Sequence, residues 1–182
     1  MKLKRPGRIF YCRSTLKVAK ELLGKYLVKG KMVGRIVETE AYIDTHDKAS
    51  HASWRKKETC FPMWGAGGFS YVYFTYGMHY MFNVVTEEEG RPCAVLIRAL
   101  EPVENITGAT NGPGRLTKAL GITKADNNVD LTKSPDLYIT EDPEDRSRIK
   151  ITRSKRIGVE YAGIYKDKLW RFSIDGNKYV SK

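Results

Sequence analysis

GRIVETEAY, at Gly34–Tyr42, is the stretch from which the rest of the fold can be worked out. It lies in a run of apolar and β-branched residues after a glycine turn, which predicts a long strand from about Met32 to Tyr42. With a period of two, one face of this strand carries Ile36, Glu38, Glu40 and Tyr42. The strand therefore presents carboxylates close to an aromatic ring on one surface of a sheet.

A second stretch, YVYFTYGMHYMFN at Tyr71–Asn83, predicts a β-hairpin. Its strands are expected at Ser70–Thr75 and Met78–Thr86, around a turn at Tyr76-Gly77. Aromatic residues on paired strands are typical of an ordinary cross-strand ladder. Tyr76 differs from the others because a side chain at a turn cannot bury well. An exposed aromatic ring at a loop tip suits insertion between bases.

The other predicted elements are short and do not alternate as regular βαβ units. They are a helix at Ser14–Leu23, strands at Tyr26–Val28, Cys93–Leu100, Leu137–Thr140 and Leu169–Ile174, a loop at Phe61–Gly68, and a helix at Arg115–Leu120. The strand at Cys93–Leu100 is almost wholly apolar, which favours a central place. These elements predict an α+β fold: a single domain over residues 1–182, with a curved, mostly antiparallel sheet, a protruding β-hairpin and a few flanking helices.

The chain is strongly basic. Its 182 residues include 32 Lys and Arg against 21 Asp and Glu, which is a formal net charge of +11. Such an excess favours a polyanionic partner, either nucleic acid or an anionic membrane surface. No apolar run is long enough to span a bilayer, and the N-terminus has no signal-peptide pattern, so nucleic acid is favoured. Because Cys12, Cys60 and Cys93 are far apart, free thiols in a reducing compartment are expected.

Two polar groupings each allow an ordinary and a functional interpretation. A basic cluster is either a solvated surface or a contact for phosphates, and its members are Arg146, Arg148, Lys150, Arg153, Lys155 and Arg156. His46, Asp47 and His51 could hold a metal ion, as in a small metal-dependent hydrolase. A polar loop has the same composition, and neither a cysteine nor a third histidine lies near these residues in the sequence.

Six segments in series resemble the alkyladenine (3-methyladenine) DNA glycosylase family. Beside the two stretches above, they are KASHAS around His51, AVLIRALEP at Ala94–Pro102, NGPGRLTKALGI at Asn111–Ile122 and RIGVEYAG at Arg156–Gly163. The resemblance implies the bare catalytic domain of a DNA repair N-glycosylase. Such an enzyme flips a damaged purine out of duplex DNA and hydrolyses its N-glycosidic bond, leaving an abasic site.

The resemblance also implies catalytic roles. Glu40 would be the general base that deprotonates the attacking water, and Arg98 would hold the carboxylate and the water. Spacing alone does not choose between Glu40 and Glu38, but the resemblance selects Glu40, so Glu38→Gln is expected to do much less harm. No metal or cofactor is expected. No lysine in these motifs is placed to form a Schiff base, so a monofunctional enzyme without lyase activity is expected.

The resemblance assigns five further residues to the target nucleotide. Tyr42 would stack on one face of the flipped base, and His51 and Tyr73 would close the other side. Tyr76 would occupy the gap left in the duplex. Asn83 would crowd the purine 2-position and so reject guanine.

The partner implied by the resemblance is double-stranded DNA carrying damaged purines, namely 3-methyladenine, 7-methylguanine, hypoxanthine or ethenoadenine. We expect a monomer without membrane contact, in the cytoplasm near the nucleoid of a prokaryote or in the nucleus of a eukaryote. The principal alternative is a non-catalytic nucleic-acid-binding module with the same charge and aromatic content. Glu40 and Arg98 distinguish the enzyme from the binding module, because a simple binder has no need for a carboxylate near phosphates.

Overall fold

One curved antiparallel sheet organises the computed structural model, which describes residues 4–141 and 149–181. Its described strands are β1 (Tyr26–Lys29), β2 (Met32–Ile43), β3 (Ser70–Thr75), β4 (His79–Val85), β5 (Cys93–Glu104), β6 (Leu137–Thr140), β7 (Ile151–Ser154) and β8 (Arg171–Ile174). The order across the sheet is β3-β4-β5-β2-β1-β6, and β8 pairs with both β2 and β7. The two long strands β2 and β5 therefore form its centre.

Short helices flank the sheet. The α-helices are α1 (Arg8–Tyr11), α2 (Thr15–Glu21) and α3 (Pro113–Leu120), and 3₁₀ turns lie at His51–Ser53, Lys57–Thr59, Phe61–Trp64, Lys124–Asp126 and Gly163–Asp167. The main core contains Val18 of α2 and Leu116 of α3, packed against Ile36 and Ile97 of the central strands. None of the described helices is long and apolar enough to cross a lipid bilayer.

Two of the three irregularities in the pairing of the central strands decide which side chains near the carboxylates face the core. Relative to a regular ladder, β2 carries one extra residue at Val37 and β5 carries one at Arg98. A bulge shifts the alternation of the side chains that follow it. Ile36 consequently packs in the main core, whereas Glu38 and Glu40 meet Arg98 on the other face. The prediction that Ile36 shares a face with the two carboxylates is wrong for this reason.

The predicted fold class is confirmed: the protein is a single α+β domain dominated by a curved antiparallel sheet, with a β3–β4 hairpin and small helices. Some boundaries differ from those predicted. β5 continues to Glu104, and α3 begins at Pro113, where a proline is tolerated because its missing N–H has no helical partner. The expected loop at Phe61–Gly68 contains the 3₁₀ turn Phe61–Trp64. Sequence patterns did not predict α1 and β7, which have four residues each.

The hairpin turn has an unusual backbone. Tyr76 and Gly77 have φ values of 53° and 66°, so both lie in the left-handed region. Two such residues make the turn whose twist suits an antiparallel hairpin. Glycine adopts this conformation freely, but a tyrosine there costs on the order of 1 kcal/mol or more. The hairpin bears this strain while it presents the ring of Tyr76 to solvent, with 78% of the residue exposed.

The three cysteines are free, and the basic cluster includes a buried residue. Cys12, Cys60 and Cys93 are free, as predicted, and the last two are buried. Arg146 and Arg148 lie outside the described residues. Within the described part of the cluster, Lys155 is exposed whereas Arg156 is only 4% exposed. Arg156 is therefore a structural residue and not part of a solvated basic surface.

Candidate active site

A pocket of about 390 Å³ opens on the face of the sheet that lies opposite the main core. The strand register explains how distant parts of the sequence meet there, since Asn83 pairs with Tyr71 on one side and with Leu96 on the other. Six residues singled out from the sequence line this pocket: Tyr42, His51, Tyr73, Tyr76, Asn83 and Arg98. The strands therefore bring the predicted binding residues into one cavity.

Glu40 is fully buried beside this pocket and held by three donors. The Tyr42 hydroxyl donates to Oε2 over 2.8 Å, and the backbone N–H of Ile157 donates to Oε1 over 2.9 Å. Arg98 Nη1 lies 3.3 Å from Oε2. The guanidinium and the two neutral donors satisfy the buried carboxylate and fix its orientation. The arrangement holds a carboxylate in one defined position at the edge of the pocket.

Arg98 remains a cation in this setting. Burial works against its charge, but the neighbouring carboxylates of Glu40 and Glu38 outweigh burial and raise the pKa of the guanidinium above its ordinary value. Tyr42 remains protonated, because burial and the adjacent Glu40 carboxylate raise its pKa well above the usual range. The pocket therefore keeps two fixed donors against Glu40 at neutral pH.

Glu38 has a different environment, although its spacing suggested the same role. Its carboxylate is fully buried and accepts from Arg171 Nη1 at 3.0 Å, from the Ser181 N–H at 2.8 Å and from the Ser181 hydroxyl at 2.9 Å. Arg98 Nε lies 3.3 Å away. These contacts occupy the lone pairs of Glu38, so the geometry distinguishes the two carboxylates. Because Glu38 and Glu40 share the Arg98 guanidinium, a substitution at Glu38 is not an independent control for one at Glu40.

His51 is a neutral wall of the pocket. Burial and, secondarily, the charge of Arg55 lower its pKa to about 3, so the imidazole is uncharged at neutral pH. Its Nδ1 lies 2.8 Å from the Tyr71 hydroxyl, and its ring centroid lies 4.3 Å from that of Tyr73. An uncharged imidazole does not repel a cationic base, whereas a protonated one would.

Tyr42 is supported from behind by a buried ion pair. The Arg156 guanidinium lies 4.8 Å from the centre of the Tyr42 ring, and it binds both oxygens of Asp47 at 2.6 and 2.8 Å. Arg156 also donates to the backbone carbonyl of Ala41 at 2.8 Å. A cation beneath an aromatic face and a tether to its neighbouring residue fix the ring plane. The orientation of Tyr42 is therefore set by contacts with the C-terminal half of the chain.

This ion pair also weakens the interpretation as a metal-dependent hydrolase. Asp47 is engaged by Arg156, His46 faces the ring of Tyr165, and His51 contacts the hydroxyl of Tyr71. Within residues 4–141 and 149–181, no group of three histidine, cysteine, aspartate or glutamate side chains is arranged to hold a metal ion. The three polar residues do not form a common site.

Asn83 is held rigidly at the inner end of the hairpin. Its Nδ2 donates to the backbone carbonyls of Tyr71 at 3.0 Å and Met81 at 3.4 Å, and the residue is only 4% exposed. The amide nitrogen is therefore committed to the backbone. The side chain cannot swing away from the pocket without breaking both hydrogen bonds of this buried amide nitrogen.

The outer end of the hairpin is apolar and exposed. Beside Tyr76, the residues Met78 and Phe74 are 68% and 51% exposed. Clusters of large exposed apolar side chains on a soluble domain commonly mark a contact surface. Since Tyr76 also lines the pocket, this apolar tip lies at the entrance of the cavity.

The sequence did not reveal several lining residues. Trp54, Arg55 and Tyr161 line the pocket, and Trp54 and Tyr161 are 56% and 64% exposed. Tyr161 belongs to the RIGVEYAG segment that carried the family resemblance, so a signal was present without a role attached to it. The sequence pattern around Trp54 did not indicate a pocket residue, because a single tryptophan in a polar loop also occurs on many ordinary protein surfaces. The backbone N–H of Ile157 leaves no mark in a sequence at all.

The chain is similar to known proteins along most of its length. The model of the family described as methylpurine-DNA glycosylase matches residues 9–178. A relative from Legionella pneumophila (strain Corby) is 50% identical over 100% of this chain and 98% of its own length. One from Desulfitobacterium hafniense (strain Y51) is 47% identical over 98% and 99%, and one from Clostridium tetani (strain Massachusetts / E88) is 46% identical over 96% and 98%.

All three relatives are named as proposed 3-methyladenine DNA glycosylases. The family match covers most of the chain, and each relative matches nearly its whole length. The resemblance predicted from the sequence motifs is therefore confirmed. The chain belongs to the methylpurine-DNA glycosylase family.

Proposed function

We propose that the protein is a monofunctional DNA glycosylase that flips a damaged purine into the aromatic pocket and hydrolyses its N-glycosidic bond. One observation carries the proposal: a buried carboxylate, Glu40, is held ready by Arg98, Tyr42 and Ile157 beside a cavity of base-sized dimensions. The exposed ring of Tyr76 at the cavity entrance supports the flipping step.

In the proposed reaction, Glu40 takes a proton from a water molecule as the water oxygen bonds to C1′ of the target nucleotide. The C1′–N bond breaks, and its electron pair leaves with the base. The products are the free base and an abasic deoxyribose that carries a hydroxyl at C1′. Positive charge develops on the sugar as the bond breaks, and the Glu40 carboxylate stabilises it, as carboxylates do in glycoside hydrolysis.

The pocket walls support a broad range of purine lesions. Tyr42, Tyr73 and neutral His51 offer faces and edges for stacking, which is worth about 1–3 kcal/mol per base and does not depend on hydrogen-bonding pattern. A cationic base such as 3-methyladenine leaves as a neutral molecule. Hypoxanthine leaves as an anion and takes up one proton, so the water that is consumed supplies both the hydroxyl at C1′ and, through Glu40 or the solvent, that proton. No lysine is among the described residues that line the pocket, which fits hydrolysis without a Schiff-base intermediate.

A non-catalytic nucleic-acid-binding module is the competing function. The decisive experiment incubates the purified protein with duplexes that each carry one defined lesion and measures the released base. We expect release of at least one of 3-methyladenine, 7-methylguanine, hypoxanthine or ethenoadenine. Binding to these duplexes with no released base would favour the module.

The net charge leads to a prediction about DNA binding. If the charge of +11 serves phosphate contacts, the logarithm of affinity for undamaged duplex should fall linearly with the logarithm of salt concentration. The slope should be about −0.9 for each phosphate neutralised. Fluorescence anisotropy at several salt concentrations measures it. An affinity that does not change between low and physiological salt would contradict phosphate binding.

The turn residue leads to a second prediction. Tyr76→Ala should weaken binding to a lesion duplex about tenfold, because the space left by a flipped base would lack a stacking partner. Alanine retains a Cβ at the positive φ, so backbone strain at this position is nearly unchanged. Binding to single-stranded lesion DNA should fall much less, since no base stack has to be held open.

Ile9→Ala provides the control for Tyr76→Ala, because Ile9 is also a large exposed residue, with 84% of its surface accessible, and it does not line the pocket. We expect this control to bind both DNA forms normally. Equal losses on duplex and single-stranded DNA for Tyr76→Ala would show that the ring does not act by intercalation.

A further inference from the structure

Arg98 is shared between two buried carboxylates, and different nitrogens contact each one. Nη1 lies 3.3 Å from Glu40, whereas Nε lies 3.3 Å from Glu38 and Nη2 lies 3.5 Å from the Ser181 hydroxyl. The guanidinium is a rigid planar fork, so the attraction of its Nε and Nη2 edge to Glu38 and Ser181 favours one direction for Nη1; Nε meets Glu38 as an ion pair, without hydrogen-bond geometry. Glu38 and Ser181 thus hold the edge that faces away from the proposed general base.

The backbone contributes to this orientation. Arg98 is the extra residue of the bulge in β5, between the residues that pair with Glu38 and Thr39 of β2. Bulges next to active sites commonly redirect a side chain that a regular strand would point elsewhere.

Glu38 is itself fixed from two separate parts of the chain. Arg171, on β8, binds it over 3.0 Å, and Ser181 binds it through both its backbone N–H and its hydroxyl. Arg171 is held in turn by donating from Nε to the carbonyl of Lys155 at 2.8 Å. The four charges of Glu38, Glu40, Arg98 and Arg171 balance within one buried network.

We propose that Glu38 is a positioning residue for base excision: it orients Arg98 against Glu40, and Arg171 and Ser181 hold it in place. The inference rests on the proposed function, because it assigns Glu38 an effect on the excision step. It gives Glu38 a role that the resemblance did not assign, with an effect that is still smaller than the one expected for Glu40. Glu38 acts through Arg98 and does not contact the substrate.

The first test is Glu38→Gln, assayed by single-turnover excision of hypoxanthine with saturating enzyme. The glutamine amide adds a donor where Arg98, Arg171 and Ser181 already supply donors, so the network must rearrange. We expect the rate constant to fall about tenfold while lesion-duplex affinity stays within twofold. A rate constant measured with enzyme in excess does not depend on the folded fraction, so loss of folding alone cannot produce this result.

The matched control is Glu101→Gln. Glu101 lies on β5, accepts a hydrogen bond from Asn177 Nδ2 at 3.0 Å and is outside the network around Arg98. The same chemical change there should leave the rate constant within twofold of the unmodified protein. If Glu38→Gln does not fold, a milder pair of variants can be used. Ser181→Ala should slow excision about threefold. Thr152→Val removes an exposed hydroxyl that is hydrogen-bonded to Asp175, and it should leave the excision rate unchanged.

A double-mutant comparison tests whether Glu38 acts through Arg98. In an Arg98→Met background, Glu38→Gln should change the excision rate less than twofold, since no guanidinium remains to be oriented. The same test applies to Ser181→Ala in that background. Independent, multiplicative losses would overturn the positioning role, and so would a normal rate for both Glu38→Gln and Ser181→Ala. An unmodified protein that releases no base would contradict the proposed function itself, and this inference with it.

Discussion

Glu40→Gln should lower the single-turnover rate of hypoxanthine excision by about 10²-fold or more, while the protein still binds the lesion duplex. Glutamine is nearly isosteric with glutamate, but its amide cannot accept a proton from water at neutral pH and carries no charge to stabilise the developing cation on the sugar. If the amide oxygen accepts from the N–H of Ile157, the amide nitrogen lies towards the Tyr42 hydroxyl and can donate to it, so two of the contacts at this position are retained.

Single-turnover excision is measured for the unmodified protein, Glu40→Gln and Glu101→Gln under identical conditions. Glu101→Gln makes the same chemical change on the neighbouring strand, away from the pocket, and should excise at a normal rate. Lesion-duplex affinity, measured separately by anisotropy, should be similar for all three proteins. Near-normal excision by Glu40→Gln would remove Glu40 from the mechanism.

The excision rate of Glu40→Gln should fall less for 7-methylguanine than for hypoxanthine, because a cationic base is already a good leaving group.

Most of the sheet could be predicted from the sequence because its strands have strong local signals. GRIVETEAY and YVYFTYGMHYMFN are rich in β-branched and aromatic residues and are separated by glycine turns. The side-chain alternation in β2 could not be predicted, because the bulge at Val37 depends on the pairing with β5. A period of two holds only while the ladder is regular, and the pattern of one strand does not record its partner's register.

The candidate site was predicted unevenly for a related reason. The turn position of Tyr76 followed from the hairpin pattern, whereas Tyr42 and Tyr73 were named because their motifs resemble a known family. Contacts between distant segments leave no local signal. Ser181 binds Glu38 across 143 positions, and Arg156 binds Asp47 across 109.

These distant contacts decide chemical roles. Spacing made Glu38 and Glu40 equivalent, and only the three-dimensional partners separate a carboxylate beside the pocket from one enclosed by Arg171 and Ser181. Composition likewise counted Arg156 as part of a basic surface, although it is a buried support for the Tyr42 ring. The number of basic residues therefore indicates how many phosphates can be contacted only after those in buried ion pairs have been left out.

Asn83→Ser should raise the release of undamaged guanine relative to hypoxanthine by roughly 10- to 100-fold, the equivalent of about 1–3 kcal/mol. Guanine differs from hypoxanthine by an exocyclic amino group at the 2-position. Stacking against Tyr42 and Tyr73 cannot distinguish the two bases, because their rings have the same shape. The discrimination must come from a side chain that occupies the space near that amino group and is held in place by its own contacts.

Asn83 meets this requirement because its amide nitrogen is tied to the carbonyls of Tyr71 and Met81 inside the hairpin. Displacing it would break both hydrogen bonds of this buried amide nitrogen, so the side chain resists the larger base. Serine is shorter and opens that space. Asn127→Ser is the matched control: Asn127 accepts from the N–H of Val72 at 2.8 Å, so the exchange disturbs the same hairpin without widening the pocket. Guanine release should rise only for Asn83→Ser, and unchanged guanine release with hypoxanthine excision retained would place the selectivity elsewhere in the pocket.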